Sequence, residues 1–353
     1  MGRLSMPVVW SDTCLLHEAG GEVWIGRPIP GDELPERAVR IREALVAAGA
    51  TVVEAHEQPD DALLAVHDER LLAFLRDAWS DWQAAGYPAA HGQGRIVPYI
   101  FAHLGLVGAL EPMLPASLAA RTGLFAFDTM TPIGPGTWPA ARAAVDCALT
   151  ACELVLAGAP AAYACARPPG HHVTRSAYGG SCYLNNAAIA AAHLRAAGWM
   201  RVAIVDIDAH HGNGAESIFR SCGDVLTASV HVDPATGWFP HFLVAGSDDA
   251  VANLNVPLAP HTGDEGWLAG VLRAAEEVAS FDADAMVVAL GVDAAAADPE
   301  SPLAVSRDGF AEAGRRLGGL RLPTVVVQEG GYDLAAIGGL VLAALEGIEE
   351  GMG

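Results

Sequence analysis

The sequence predicts a doubly wound α/β domain, with a mostly parallel central sheet sandwiched by helices. Three observations carry this. Short runs rich in Val, Ile and Leu alternate with Ala-rich stretches of helical length. The clearest strand, 202–206, carries an apolar, largely β-branched run up to Val205, as in a strand covered on both faces. Reactive side chains gather just past the runs, where open α/β sheets bind their ligands.

The elements follow in order. Residues 6–10 read as a first strand. Arg, Glu, Leu and Val recur at helical spacing over 35–49, where Gly49 ends the helix, and 51–54 form a second strand. Residues 68–85 are helical. Residues 86–139 are rich in Gly and Pro, including the run Thr131-Pro-Ile-Gly-Pro-Gly-Thr-Trp138. This stretch is expected to be one long structured loop without regular elements, serving as an interface or an active-site entrance. Beyond it, helices are expected at 140–157, 186–197, 267–279, 309–318 and 334–350. Strands are expected at 161–166, 202–206, 225–230, 285–290 and 323–328. No linker interrupts the pattern, so residues 1–353 are expected to form a single domain.

Composition narrows the function. Of 353 residues, 52% are hydrophobic and 18% charged, which excludes a disordered chain. No apolar stretch reaches the roughly 20 residues that span a bilayer, so no membrane partner is expected. The net charge of −22 argues against nucleic acid and favours a cationic substrate. Every basic residue is arginine, which reads as genomic composition. The six cysteines form no C-x-x-C pair and no signal-peptide pattern opens the chain. Free thiols in a reducing cytoplasm are expected.

The strand ends carry the chemistry. After 161–166 come Arg167-Pro-Pro-Gly-His171-His172. At the end of 202–205 come Asp206, Asp208, His210 and His211. His231 and Asp233 follow 225–230, Asp293 and Asp298 follow 285–290, and Glu329-Gly-Gly-Tyr332 follows 323–328. Asp208 and His210 are two residues apart and face one way in extended chain. With a carboxylate from a neighbouring strand, best Asp293, they make a three-ligand site of the kind that catalytic zinc uses. His171 and His172 can supply a general base and an electrostatic partner. Gly330 and Gly331 let the backbone approach a ligand, and the Tyr332 hydroxyl can stabilise an oxyanion. The reaction class is metal-assisted hydrolysis of an amide. The bland alternatives are an N-cap for Asp293, a packed aromatic for Tyr332 and a buried, hydrogen-bonded carboxyl for Glu329.

These motifs resemble the zinc-dependent histone deacetylases and their bacterial relatives, the acetylpolyamine amidohydrolases. The carrying sequences are Arg-Pro-Pro-Gly-His-His at 167–172, Gly-Gly-Ser-Cys-Tyr-Leu-Asn-Asn at 179–186 and Asp-Ile-Asp-Ala-His-His-Gly-Asn-Gly at 206–214. Leu-Gly-Val-Asp at 290–293, Asp-Pro at 298–299 and Glu-Gly-Gly-Tyr at 329–332 complete the set. Glu22-Val-Trp-Ile-Gly26 and Pro132-Ile-Gly-Pro-Gly-Thr-Trp138 are similar to the acetylpolyamine branch.

The resemblance implies an arginase/deacetylase-like fold. It implies zinc on Asp208, His210 and Asp293, His172 as general base with His171 as its partner, and Tyr332 polarising the substrate carbonyl. Asp206 would orient His171 and join a structural potassium site with the chain near Ser229 and Val230. Asn213 would stand behind His172. Glu22, Trp24, Gly180, Ser181 and Gly330 would face the substrate, a small N-acylated amine. Ser181 stands where the relatives carry Tyr or Phe, which implies a wider or more polar tunnel. Met130 replaces an acidic residue of the polyamine enzymes. The long loop would form a homodimer that narrows the entrance. An acetyl-lysine protein deacetylase and a deacylase of a specialised biosynthetic N-acyl metabolite are the alternatives. A binuclear manganese ureohydrolase is disfavoured, because Gly212 and Gly291 stand where it would need carboxylates.

Overall fold

The structure, a computed structural model, describes residues 4–18, 20–87, 94–243 and 251–353. Eight strands form one sheet in the order β4-β1-β5-β10-β9-β6-β7-β8. They are β1 (Val8–Trp10), β4 (Val52–Glu54), β5 (Ala161–Ala164), β6 (Val202–Asp206), β7 (Val225–Val232), β8 (Asn253–Leu258), β9 (Ala285–Leu290) and β10 (Thr324–Gln328). Every neighbouring pair is parallel. A separate antiparallel hairpin joins β2 (Glu22–Trp24) to β3 (Arg27–Ile29).

The strand side chains alternate between two cores. In β9, Ala285, Val287 and Ala289 enter one apolar cluster and Met286, Val288 and Leu290 the other. The first face is covered by the helices Thr137–Leu156 and Asn186–Ala196. The second is covered by Pro35–Ala47, Asp264–Phe281, Arg307–Gly318 and Ile337–Met352. Burial on both faces explains why the central strands are apolar along most of their length, with Asp206 and Gln328 at their carboxyl ends. No helix among the described residues is long and apolar enough to cross a membrane. All six cysteines are free.

The structure corrects the reading of 86–139 as a loop without regular elements. Residues 88–93 of that stretch lie outside the described residues. Elsewhere it holds the helices Leu104–Val107 and Leu118–Phe125, an Ile96–Ile133 bridge, and the first turn of Thr137–Leu156. Pro139 did not exclude a helix there, because the first helical turn needs no backbone N–H from it. Asp293 is no helix cap either: the next helix starts at Arg307 under Ser306, whose Oγ accepts the Gly309 N–H at 3.1 Å.

Candidate active site

Four adjacent strands, β5, β10, β9 and β6, deliver the reactive groups past their carboxyl ends. β6 runs into Asp208 and His210, and β9 into Asp293. The ligand atoms of these three residues lie within 4.8 Å of one another, and all three are buried. His210 Nδ1 stands 3.0 Å from Asp293 Oδ2 and 3.2 Å from Asp208 Oδ1. Its other nitrogen, Nε2, lies 3.1 Å from the Glu300 carbonyl, which only accepts. Nε2 therefore donates to that carbonyl, and without a metal Nδ1 donates to the two carboxylates. Burial opposes this charge, but the bonds to Asp208 and Asp293 hold His210 well above the usual histidine range.

Backbone amides hold those carboxylates in place. Asp208 accepts the His210 and Gly330 N–H groups at 2.9 and 2.8 Å, and Asp293 accepts the Ala209 N–H at 2.8 Å. Glycine is required twice at this point. A Cβ on Gly291 would stand 2.1 Å from Asp208 Oδ2, and one on Gly330 would stand 2.5 Å from both Asp208 Oδ2 and Asp293 Oδ2. Burial, then the Asp208 charge, pushes Asp293 up to about 7. Two buried carboxylates converging on one imidazole nitrogen form a donor set in which a dication would take the place of the Nδ1 proton.

His171 and His172 follow β5, and their rings lie tilted by 39° with centroids 3.9 Å apart. His171 Nδ1 lies 2.9 Å from Asp206 Oδ2. Burial opposes its charge, but Asp208 and Asp206 outweigh that and push it up to about 10. His172 Nδ1 faces a neutral partner instead, Asn213 Oδ1, at 2.7 Å. Burial, with His171 and His210 beside it, holds His172 well below the usual histidine range. Glu329 is a buried carboxyl that accepts the Gly170 and His171 N–H groups at 2.6 and 3.1 Å, as its sequence position suggested. Tyr332 follows β10. Its ring lies under the Arg37 guanidinium at 4.6 Å, and burial raises its hydroxyl pKa well above the usual phenol range.

These groups open into a cavity of about 330 Å³. His172, His210 and Tyr332 form its inner end, and Glu22, Trp24, Gly180 and Ser181 line it as expected. Among the described residues, Glu22, Glu33, Asp128 and Glu300 line it and no arginine does, although the Glu33 carboxylate is itself paired with Arg37 and Arg167. Burial, then Glu300 and Asp128, pushes Glu22 up to about 8. Gly330 does not line the cavity. Its N–H is committed to Asp208, so it supports the site from beneath. Ser229 pairs with Asp206 across β6 and β7, and Val230 is a core residue of β7.

Sequence reasoning missed Glu33, Gly237, Trp238, Phe239, His241 and Glu300 among the residues that line the cavity. Glu300 and Phe239 come from loops without a periodic signal, and Glu33 precedes a helix. Phe239 packs edge-on against His172 at 4.7 Å. Phe127 faces Phe239 at 6.3 Å and lies over Gly179, where a Cβ would meet its ring at 2.1 Å. Aromatic surface thus stands close to Ser181 although position 181 is not aromatic. The Asp-Pro signal at 298–299 was the one available pointer to the Glu300 segment.

Residues 32–348 match the histone deacetylase domain family. The chain belongs to that family. It is a hydrolase of the deacetylase type. It is 36% identical over 349 residues to an acetylpolyamine amidohydrolase of Mycoplana ramosa, covering 97% of this chain and 99% of that protein. An acetylpolyamine amidohydrolase of Burkholderia pseudomallei is 41% identical over 323 residues, covering 88% and 89%. The crystal structure of an acetylpolyamine aminohydrolase from Burkholderia pseudomallei superposes with a TM-score of 0.90 at 36% identity, covering 98% of this chain and 99% of that one. The deacetylase-like fold expected from the motifs is the fold found.

Proposed function

We propose that this protein hydrolyses the amide of a small, cationic N-acetylated amine of the acetylpolyamine kind. The observation that carries the reading is the convergence of Asp208, His210 and Asp293 at the inner end of an acid-lined cavity, beside His172 and Tyr332. Zinc held by those three residues supplies Lewis acidity, for water activation and for carbonyl polarisation.

The chain's own groups do the rest. Asn213 Oδ1 fixes the His172 proton on Nδ1, leaving Nε2 free to take a proton from the attacking water. His172 then returns that proton to the departing amine nitrogen. His171, ordered by Asp206, offsets the negative charge that develops beside it. The Tyr332 hydroxyl stays protonated and donates to the carbonyl oxygen as it gains charge. Glu22 and Glu300, in their charged forms, would draw the ammonium end of the substrate into the cavity.

Two further parts belong to the same reading. A potassium ion beside Asp206, Ser229 and Val230 would stiffen the backbone that presents Asp208 and His210; the pairing of Asp206 with Ser229 supports it. A homodimer would form through residues 94–114. Leu104, Leu106, Leu110 and Met113 there are 66–80% exposed, a density of bare apolar side chains that favours an interface.

The test is steady-state hydrolysis by zinc-loaded protein. Substrates are acetylputrescine, acetylspermidine, acetylcadaverine and an acetyl-lysine peptide, each also with a longer acyl group. The expected result is turnover of an acetylpolyamine at least about tenfold above the peptide. Equal rates would favour a protein deacetylase. Slow turnover of every substrate would point to another N-acyl metabolite.

A further inference from the structure

Tyr332 sits on a segment that is neither helix nor strand, between the end of β10 and the helix Ile337–Met352. Its backbone N–H and that of Asp333 both donate to one oxygen, Asp298 Oδ2, at 2.7 and 3.2 Å. The other oxygen, Asp298 Oδ1, accepts the Glu300 N–H at 3.0 Å. The Glu300 carbonyl accepts from His210 Nε2 at 3.1 Å. One carboxylate therefore ties the segment that carries Tyr332 to the segment that orients His210. Asp298 is 8% exposed, so these bonds operate away from bulk water.

We propose that Asp298 is a positioning residue, which keeps the Tyr332 hydroxyl in register with the His210 ligand atom. The inference rests on the deacetylase reading of the site. The chemistry of the contact is specific to a carboxylate. It accepts at both oxygens, whereas an amide accepts at one and presents hydrogens at the other. Asparagine would turn its NH₂ toward either the Tyr332 and Asp333 amides or the Glu300 amide, and hydrogen would meet hydrogen. Asp298 reaches the reacting atoms only through these two segments, so its loss acts on geometry and not on proton transfer.

The test compares Asp298→Asn and Asp298→Ala with the full-length wild type. Hydrogen exchange of the zinc-free protein is read by mass spectrometry on peptides covering 329–336, 285–290 and 324–328. Exchange at 329–336 is expected to quicken while the two strand peptides stay protected. With saturating zinc and acetylputrescine, kcat is expected to fall about 100-fold and KM to change less than about threefold, since a displacement near 1 Å of a catalytic group suffices for that. In a Tyr332→Phe background the same Asp298→Asn change should lower kcat less than about threefold, because its target is already gone. Wild-type kcat in Asp298→Asn, or an undiminished loss in the Tyr332→Phe background, overturns the proposal. Loss of strand protection in both variants also overturns it, in favour of a general structural role. Wild-type turnover by Tyr332→Phe alone would instead sink the deacetylase reading.

Discussion

Asn213 Oδ1 stands 2.7 Å from His172 Nδ1, while the adjoining His171 faces the Asp206 carboxylate at 2.9 Å. Two neighbouring imidazoles are thus backed by a neutral group and a charged one. This difference separates a base that rests neutral from a partner that rests charged. Replacing Asn213 by Asp would put a charge behind both. The imidazolium form of His172 would be stabilised, so its pKa rises. A base must be neutral to act, so the acid limb of kcat/KM moves to higher pH, by about one unit. A pH profile of Asn213→Asp against wild type checks this. An acid limb that does not move contradicts the role given to His172.

Glu22 is held up to about 8 by burial, then by Glu300, Asp128, Asp32 and Glu33 around it. Its carboxyl therefore loses its proton as pH rises from 7 to 9. The charged form attracts an ammonium, so KM for acetylputrescine should fall across that range. Glu22→Gln should raise KM at pH 9 about tenfold, equivalent to about 1.4 kcal/mol, and flatten the dependence. An uncharged N-acetylalkylamine should show neither effect. Equal KM trends for both substrates would remove Glu22 from cation recognition.

Gly330→Ala is expected to impair metal binding before it impairs folding. The new Cβ would crowd one oxygen of Asp208 and one of Asp293 at 2.5 Å each. Zinc affinity should drop at least about tenfold, the scale seen when the support of metal ligands is disturbed. Competition with a chromogenic chelator measures this. Far-UV circular dichroism should stay that of the wild type. Wild-type zinc affinity would show that the carboxylates can step aside.

Leu104→Glu with Leu110→Glu should halve the particle mass seen by light scattering, if residues 94–114 join two copies. Both side chains are 78% exposed in one copy, so the monomer itself should not be destabilised. An unchanged mass would place the interface elsewhere.

The central half of the fold was legible in the sequence because its signals are local. Residues 202–205 and 285–290 are continuous apolar runs, and the acids and imidazole of the site follow within five residues of each. The hairpin β2–β3 was not legible. Its turn places Ile25 and Gly26 at φ 49° and 74°, and a β-branched residue in the left-handed region gives no turn signal. β8 was missed for a related reason. It carries Pro257, which reads as a strand breaker and is tolerated because β8 is an edge. The cluster of Asp208, His210 and Asp293 was legible because each residue follows closely on an apolar strand, and β6 and β9 are neighbours. Glu300, Phe127 and Phe239 were not, because loop side chains are brought to the cavity by tertiary packing alone.

The strand order has a consequence for how such an enzyme changes over time. β5, β10, β9 and β6 lie at the middle of the sheet, each paired on both sides, and they present the reacting groups. The hairpin holding Glu22 is attached from outside, through Thr129 to Val23 contacts of 2.7 and 3.3 Å. Glu22 is therefore mounted apart from the central strands, whereas Glu300 shares its segment with the carbonyl that His210 faces. Alterations in the hairpin or in residues 127–131 can retune which amine is admitted while the bond-breaking apparatus stays as it is. A lineage built this way can trade substrates without passing through an inactive ancestor.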